Sequence, residues 1–150
     1  MGLWMIQSVK NELDNVHSFA ELCEMAEASQ ISSIVDCNHN RFFAPESMID
    51  ELRKACKETA QPIPQTPGEL AAVIYNSLAL CYSRAVKELE QLTGVEYPAI
   101  YVIGGGANAG YLNELTTRYT GKEVKAGPTE ATAIGNISSQ MIFGGELKDD

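Results

Sequence analysis

Apolar positions recur at helical spacing from the first residues of the chain. Leu3, Ile6, Val9 or Lys10, Leu13 and Val16 predict an amphipathic opening helix with a break near His17. Ser18 followed by Glu21 has the capping-box pattern and starts a second helix, roughly Phe19 to Ala28, with Phe19, Leu22, Cys23 and Ala26 inward. Ile34 to Cys37 is a short β-like run, a polar turn-forming stretch follows, and Pro45 stands where a helix can begin. Met48, Ile49, Leu52 and Cys56 mark the buried side of that third helix.

Past the Pro-rich connector QPIPQ, the run Thr66, Pro67, Gly68, Glu69 combines an N-cap, a proline at the first helical position and a capping-box glutamate. From there Leu70, Val73, Ile74, Leu78, Cys81, Ala85, Leu89 and Leu92 run at intervals of three and four until Gly94, which predicts a long helix. Ala99 to Ile103 is almost continuously apolar, as in a strand buried on both faces. A glycine run comes next, then a helix from about Tyr111 to Tyr119 with Leu112 and Leu115 inward, ended by Gly121. Residues 123–126 predict a second strand, GPTEA a turn, and Ala131 to Phe143 a final helix before a polar tail that frays.

The elements therefore predict an α/β domain with few strands and many helices. A length of 150 residues suits one domain with its own core. The net charge of −9 argues against nucleic acid as a partner, because phosphates favour a basic footprint. It leaves nucleotides open, since backbone N–H groups and magnesium can hold phosphates. No segment reaches the roughly 20 apolar residues of a membrane span, and the amino terminus lacks a signal-peptide pattern, so a cytoplasmic protein without a membrane partner is expected. Cys23, Cys37, Cys56 and Cys81 form no CxxC pair and no zinc pattern with His17 and His39, which predicts reduced thiols.

IYVIGGGANAG, residues 100–110, sets a strand against three glycines and a helix. Glycines let backbone N–H groups approach a ligand without a Cβ in the way, and the helix adds a positive end. The spacing matches neither GxGxxG nor GxxxxGK[ST]. A ligand loop and a bare turn both remain open on spacing. In GPTEATAIGN, Thr129 suits a cap, Glu130 suits a helix start, and Ala131, Ala133 and Gly135 suit close packing without any ligand.

GLWMIQSV, DCNHNRFFAPESM, ETAQPIPQTPGELA, NSLALCYSRAVKELEQLTG, the strand with its glycines and GPTEATAIGN occur in this order along nearly the whole chain. Together they resemble the C-terminal domain of the FGGY family of carbohydrate kinases, and within it the branch acting on L-rhamnulose. The resemblance implies an actin-like ATPase (ribonuclease H-like) fold. It also implies transfer of phosphate from ATP, with magnesium, to L-rhamnulose in a cleft between two domains. The catalytic base then belongs to an N-terminal domain absent from these residues, as is the usual C-terminal tail, so the chain alone is expected to be inactive. Surface that faced the missing domain is expected to favour self-association.

By motif, the resemblance assigns ATP contacts to Gln7 and Gly105, with Gly104 and Gly106 shaping the loop. Family members usually follow the glycines with Ser or Ala, then Gln or Lys, then Asn or Ser. Here Ala107, Asn108 and Ala109 follow, which leaves Asn108 as the polar side chain able to substitute. Two other readings stay open beside this one: a non-catalytic nucleotide-binding or scaffold module, and an FGGY kinase for another sugar.

Overall fold

The computed structural model describes residues 3–128 and 131–143. In chain order the elements are α1 (Leu3–Glu12), α2 (Phe19–Glu27), a 3-10 turn at Asn40–Phe42, α3 (Met48–Glu58), α4 (Pro67–Thr93) and β1 (Ala99–Val102). A second 3-10 turn at Gly105–Asn108, α5 (Gly110–Thr120), β2 (Glu123–Ala126) and α6 (Ala131–Phe143) complete them. Among the described residues no helix is long and apolar enough to cross a membrane.

The helix starts obey the local chemistry of the sequence. Ser18 and Glu21 close a capping box on α2, and Thr66 and Glu69 close one on α4, with Pro67 at its first position. Gly94 ends α4 at φ 69° and Gly121 ends α5 at φ 70°, both in the left-handed region where a Cβ is costly. α3 instead begins at Met48, capped by Ser47, whose hydroxyl accepts from Asp50 N. Pro45 therefore lies ahead of the helix rather than in its first turn. The Glu12 carboxylate, from the end of α1, also accepts from Met48 N at 2.5 Å and Ile49 N at 3.3 Å, so one helix end caps the start of another.

The core gathers around the first half of α4. Leu70 to Ala79 are buried without interruption, against Leu22 and Ala26 of α2, Met5, Ile6 and Val9 of α1, Leu52 and Cys56 of α3, and Leu112 and Leu115 of α5. A built Cβ on Gly68 would lie 2.7 Å from Met25 O, so α4 and α2 touch there backbone to backbone. Trp4 lies flat over Phe43 at 6.2 Å, and its Nε1 donates to Phe42 O at 3.0 Å.

Several expected faces turn out otherwise. Val16 is 69% exposed because α1 ends at Glu12 and the chain reverses through Asp14 and Asn15, both at φ 56°. Phe19, at the first position of α2, faces solvent under the Lys10 ammonium, 5.6 Å from its ring. Ile34 to Asp36 forms no strand and Cys37 enters a turn, because side chains satisfy the backbone here. Ile34 N donates to Gln61 Oε1 and Ile34 O accepts from Gln61 Nε2, while Val35 N donates to Ser77 Oγ.

The strands are parallel, with Ala99 beside Glu123 and Val102 beside Ala126. They form a two-stranded sheet among the described residues. β1 is not buried on both faces as its apolar run suggested: Tyr101 is 69% exposed and Ile103 63%. One sheet face, with Ile100, Val102 and Val124, is half-buried, and the described chain brings no second layer onto the other. Likewise Ala85, Leu89 and Leu92 continue the apolar stripe of α4 past the point where it is covered. Gly135 is exposed with nothing within 4 Å of a built Cβ, so it makes no close helix contact among the described residues. Thr129, Glu130 and the tail after Phe143 lie outside the described residues.

Candidate functional site

The glycine turn sits at the carboxyl end of β1, where open parallel sheets generally receive ligands. Gly104 makes the bend at φ 80°, with nothing within 4 Å of a built Cβ. Backbone conformation, and not crowding, is what requires glycine there. The chain then takes a 3-10 turn over Gly105–Asn108 and enters α5 at Gly110 with no side-chain cap at Ala109. An uncapped start leaves the first N–H groups of α5, and the positive end of its dipole, beside the turn.

The loops that follow the two strands are tied together. Gly104 N donates to Pro128 O at 3.1 Å and Gly127 N donates to Val102 O at 2.7 Å. A Cβ on Gly127 would lie 2.8 Å from Ile103 Cγ2, so a larger residue would displace the exposed Ile103 side chain. The turn is also fixed from within: Ala107 N donates to Gly104 O at 3.0 Å, and Asn113 Nδ2 donates to Ala107 O at 3.0 Å. Asn113 and Pro128 are thus positioning groups that spacing arguments passed over. The sequence signal was an Asn in the first turn of α5 and a Gly-Pro pair directly after β2.

Of the residues singled out in the sequence, Gly104, Gly105, Gly106 and Asn108 form one continuous turn, with Asn108 exposed and Ala109 packed against the core. Gln7 belongs to a separate element. It lies on the exposed side of α1, opposite buried Met5, Ile6 and Val9, and its Nε2 donates to Asn11 Oδ1 at 2.8 Å. α1 packs mainly on α3 and α4, so no hydrogen bond of Gln7 links it to the turn.

Charge around the unit is locally paired. Lys122, at the start of β2, binds Glu90 at 2.7 Å and donates to Tyr97 O, and Lys122 together with Tyr97 N holds the Glu90 carboxyl below its usual range. Burial pushes the Tyr111 phenol up from its ordinary value. Among the described residues no three His, Cys, Asp or Glu side chains cluster closely enough to hold a metal ion. His39 serves its own loop, its Nδ1 accepting from Arg41 N at 3.2 Å.

Comparison with known proteins adds to this geometry. The C-terminal domain of the FGGY family of carbohydrate kinases matches residues 1–143. A protein of Oceanobacillus iheyensis named rhamnulokinase is 46% identical over 149 residues, covering 99% of this chain and 32% of its own length. The rhamnulokinases of Enterococcus faecalis and Bacillus subtilis are 47% and 45% identical, over 99% of this chain and 31% of theirs. The chain thus spans about a third of the length of the curated relatives it matches.

Proposed function

Because the chain belongs to the FGGY family of carbohydrate kinases, whose C-terminal domain has the actin-like ATPase fold, we propose that it is the nucleotide-binding wall of an ATP-dependent sugar kinase. The sugar in this reading is L-rhamnulose, as the name shared by the relatives suggests. The observation that carries the proposal is the glycine turn at the carboxyl end of β1, leading into a helix without a side-chain cap.

Gly104 spends its own N–H on Pro128 O, so its part is to set the bend. Contact with phosphate falls to the backbone of Gly105 and Gly106, and Asn108 offers its exposed amide to the nucleotide. Gln7 supplies a second contact from α1. Phosphoryl transfer depends chiefly on positioning and electrostatics, so a domain that only orients ATP is still needed for the reaction. The proton acceptor for the sugar hydroxyl and the sugar pocket belong to the part of the kinase outside this chain. This chain alone is therefore without turnover, and it self-associates through apolar surface that the rest of the kinase would cover.

The test is an amide NMR titration of the chain with ATP. The expected result is shifts at Gly105, Gly106 and Asn108 that saturate, and their loss in Gly105→Val. Shifts confined to other residues, or a Gly105→Val titration like that of the unaltered chain, would overturn the assignment. Sugar phosphorylation by the isolated chain would overturn the division of labour.

A further inference from the structure

α4 outruns the core that holds it. Its buried run ends at Ser83, whose hydroxyl donates to Tyr119 O, and further along Glu90 is taken by Lys122. One side of the outer helix is thereby fixed to the β1–α5–β2 unit. Another side carries Cys81, Ala85, Leu89 and Leu92, spaced four, four and three, which keeps them on one face. Cys81 is half-buried, Ala85 is exposed, Leu89 is 48% exposed and Leu92 86%. At the inner end of this stripe lies a cavity of about 470 Å³, lined by Leu80, Cys81 and Ala85 and by the polar Asp36, Arg84 and Glu88 among others. Arg84 and Glu88 follow one flank of the stripe, and neither enters an ion pair among the described residues.

We propose that this face of α4 pairs with the same face of a second copy, the two helices running antiparallel about a two-fold axis beside Val86 and Lys87. The inference gives the self-association proposed above a surface and a symmetry, and rests on that reading. A two-fold interface must be complementary to itself, with residue i meeting j and j meeting i. The stripe satisfies this in both shape and charge. Leu92 of each copy reaches the cavity beside Cys81 of the other, so the most exposed leucine of the helix meets the open groove on its face. Arg84 and Glu88 lie on the same flank, one turn apart, and the two-fold keeps that flank on one side of the pair. Each Arg84 then faces the Glu88 of the other copy, a cross-copy partner for two groups that form no ion pair among the described residues. A net charge of −9 repels one copy from another at long range, so the local pairing has to be specific for association to occur.

Sedimentation equilibrium over a wide concentration range tests the proposal, with circular dichroism to show that each variant keeps its helices. The unaltered chain is expected to reach a dimer, and Leu92→Glu to remain a monomer. Arg84→Glu should weaken the dimer by about tenfold, and adding Glu88→Arg to it should restore most of the loss. A monomer at every concentration overturns both this interface and the self-association it rests on. A dimer that withstands Leu92→Glu, or an Arg84→Glu defect that Glu88→Arg does not repair, overturns the α4 pairing alone and points to the exposed sheet face.

Discussion

The helical half and the sheet half of the chain differ in where their apolar side chains end up. Around α4, Val73, Ile74 and Leu78 are fully buried, walled in by four other helices. Beyond Gly94, Tyr101 and Ile103 of the β1 segment and Ile134 and Ile137 of α6 are each at least half exposed. Both halves carry a clear hydrophobic pattern. The pattern identifies which face is apolar, whereas burial depends on what is brought against it. Parallel sheets are normally covered on both faces, and this one has a single half-covered face in a chain about a third as long as its relatives.

The sharpest way to break the comparison is to cut side chains of similar character from each half. Leu78→Ala removes a fully buried leucine from the middle of α4 and should cost about 2–5 kcal/mol, because its surroundings are held by several helices and collapse only in part. Ile103→Ala, at a side chain 63% exposed, should stay within about 0.5 kcal/mol. Urea unfolding measures both. Equal losses would mean that the sheet face is already covered in solution.

A smaller effect is expected at the helix starts, where α4 is capped and α5 is not. Thr66 Oγ1 accepts from Glu69 N at 3.2 Å, and the Glu69 carboxylate accepts from Gln65 N at 2.7 Å and Thr66 N at 3.1 Å. Thr66→Ala should cost about 1 kcal/mol in the same unfolding experiment. The two backbone N–H groups, Gln65 first, hold the Glu69 carboxyl below its usual range. A carboxyl with a lowered folded-state pKa contributes stability above its unfolded pKa and loses it as pH falls through the folded one. The advantage over Glu69→Gln should accordingly be full at neutral pH and shrink in acid. An advantage constant with pH would show that the carboxylate's charge plays no part in the cap.

These two effects also separate what could be read from the chain from what could not. The capping boxes at Ser18 and Thr66, the glycine ends at Gly94 and Gly121, and the core face from Leu70 to Leu78 are local or periodic, so neighbouring residues suffice to specify them. Ile34 to Cys37 has the composition of a strand, yet its hydrogen bonds go to Gln61 and Ser77, tens of residues away. No local signal reports such partners. The site divides in the same way. The bend at Gly104 and the entry into α5 follow from adjacent glycines, while the tie to Pro128 and the placement of Gln7 on the exposed side of α1 depend on how separate elements meet.

The smallest predicted effect probes the uncovered sheet face directly. Lys125 stands beside Tyr101 in the strand register, with its ammonium 5.7 Å from the ring centre and 3.5 Å from the Glu123 carboxylate. Glu123 first, then Tyr101, raises its pKa above the ordinary lysine value. All three side chains are exposed, and water screens charges and cation–π contacts on such a surface. Lys125→Met should therefore leave the urea midpoint of this chain unchanged within error. In a longer protein where a second layer lies on this face, the same substitution would remove a desolvated cation and its two partners' compensation, and the midpoint should move. A clear shift in the isolated chain would mean that the face is covered after all, by a second copy or by the chain itself, and the contrast between the two halves would no longer hold.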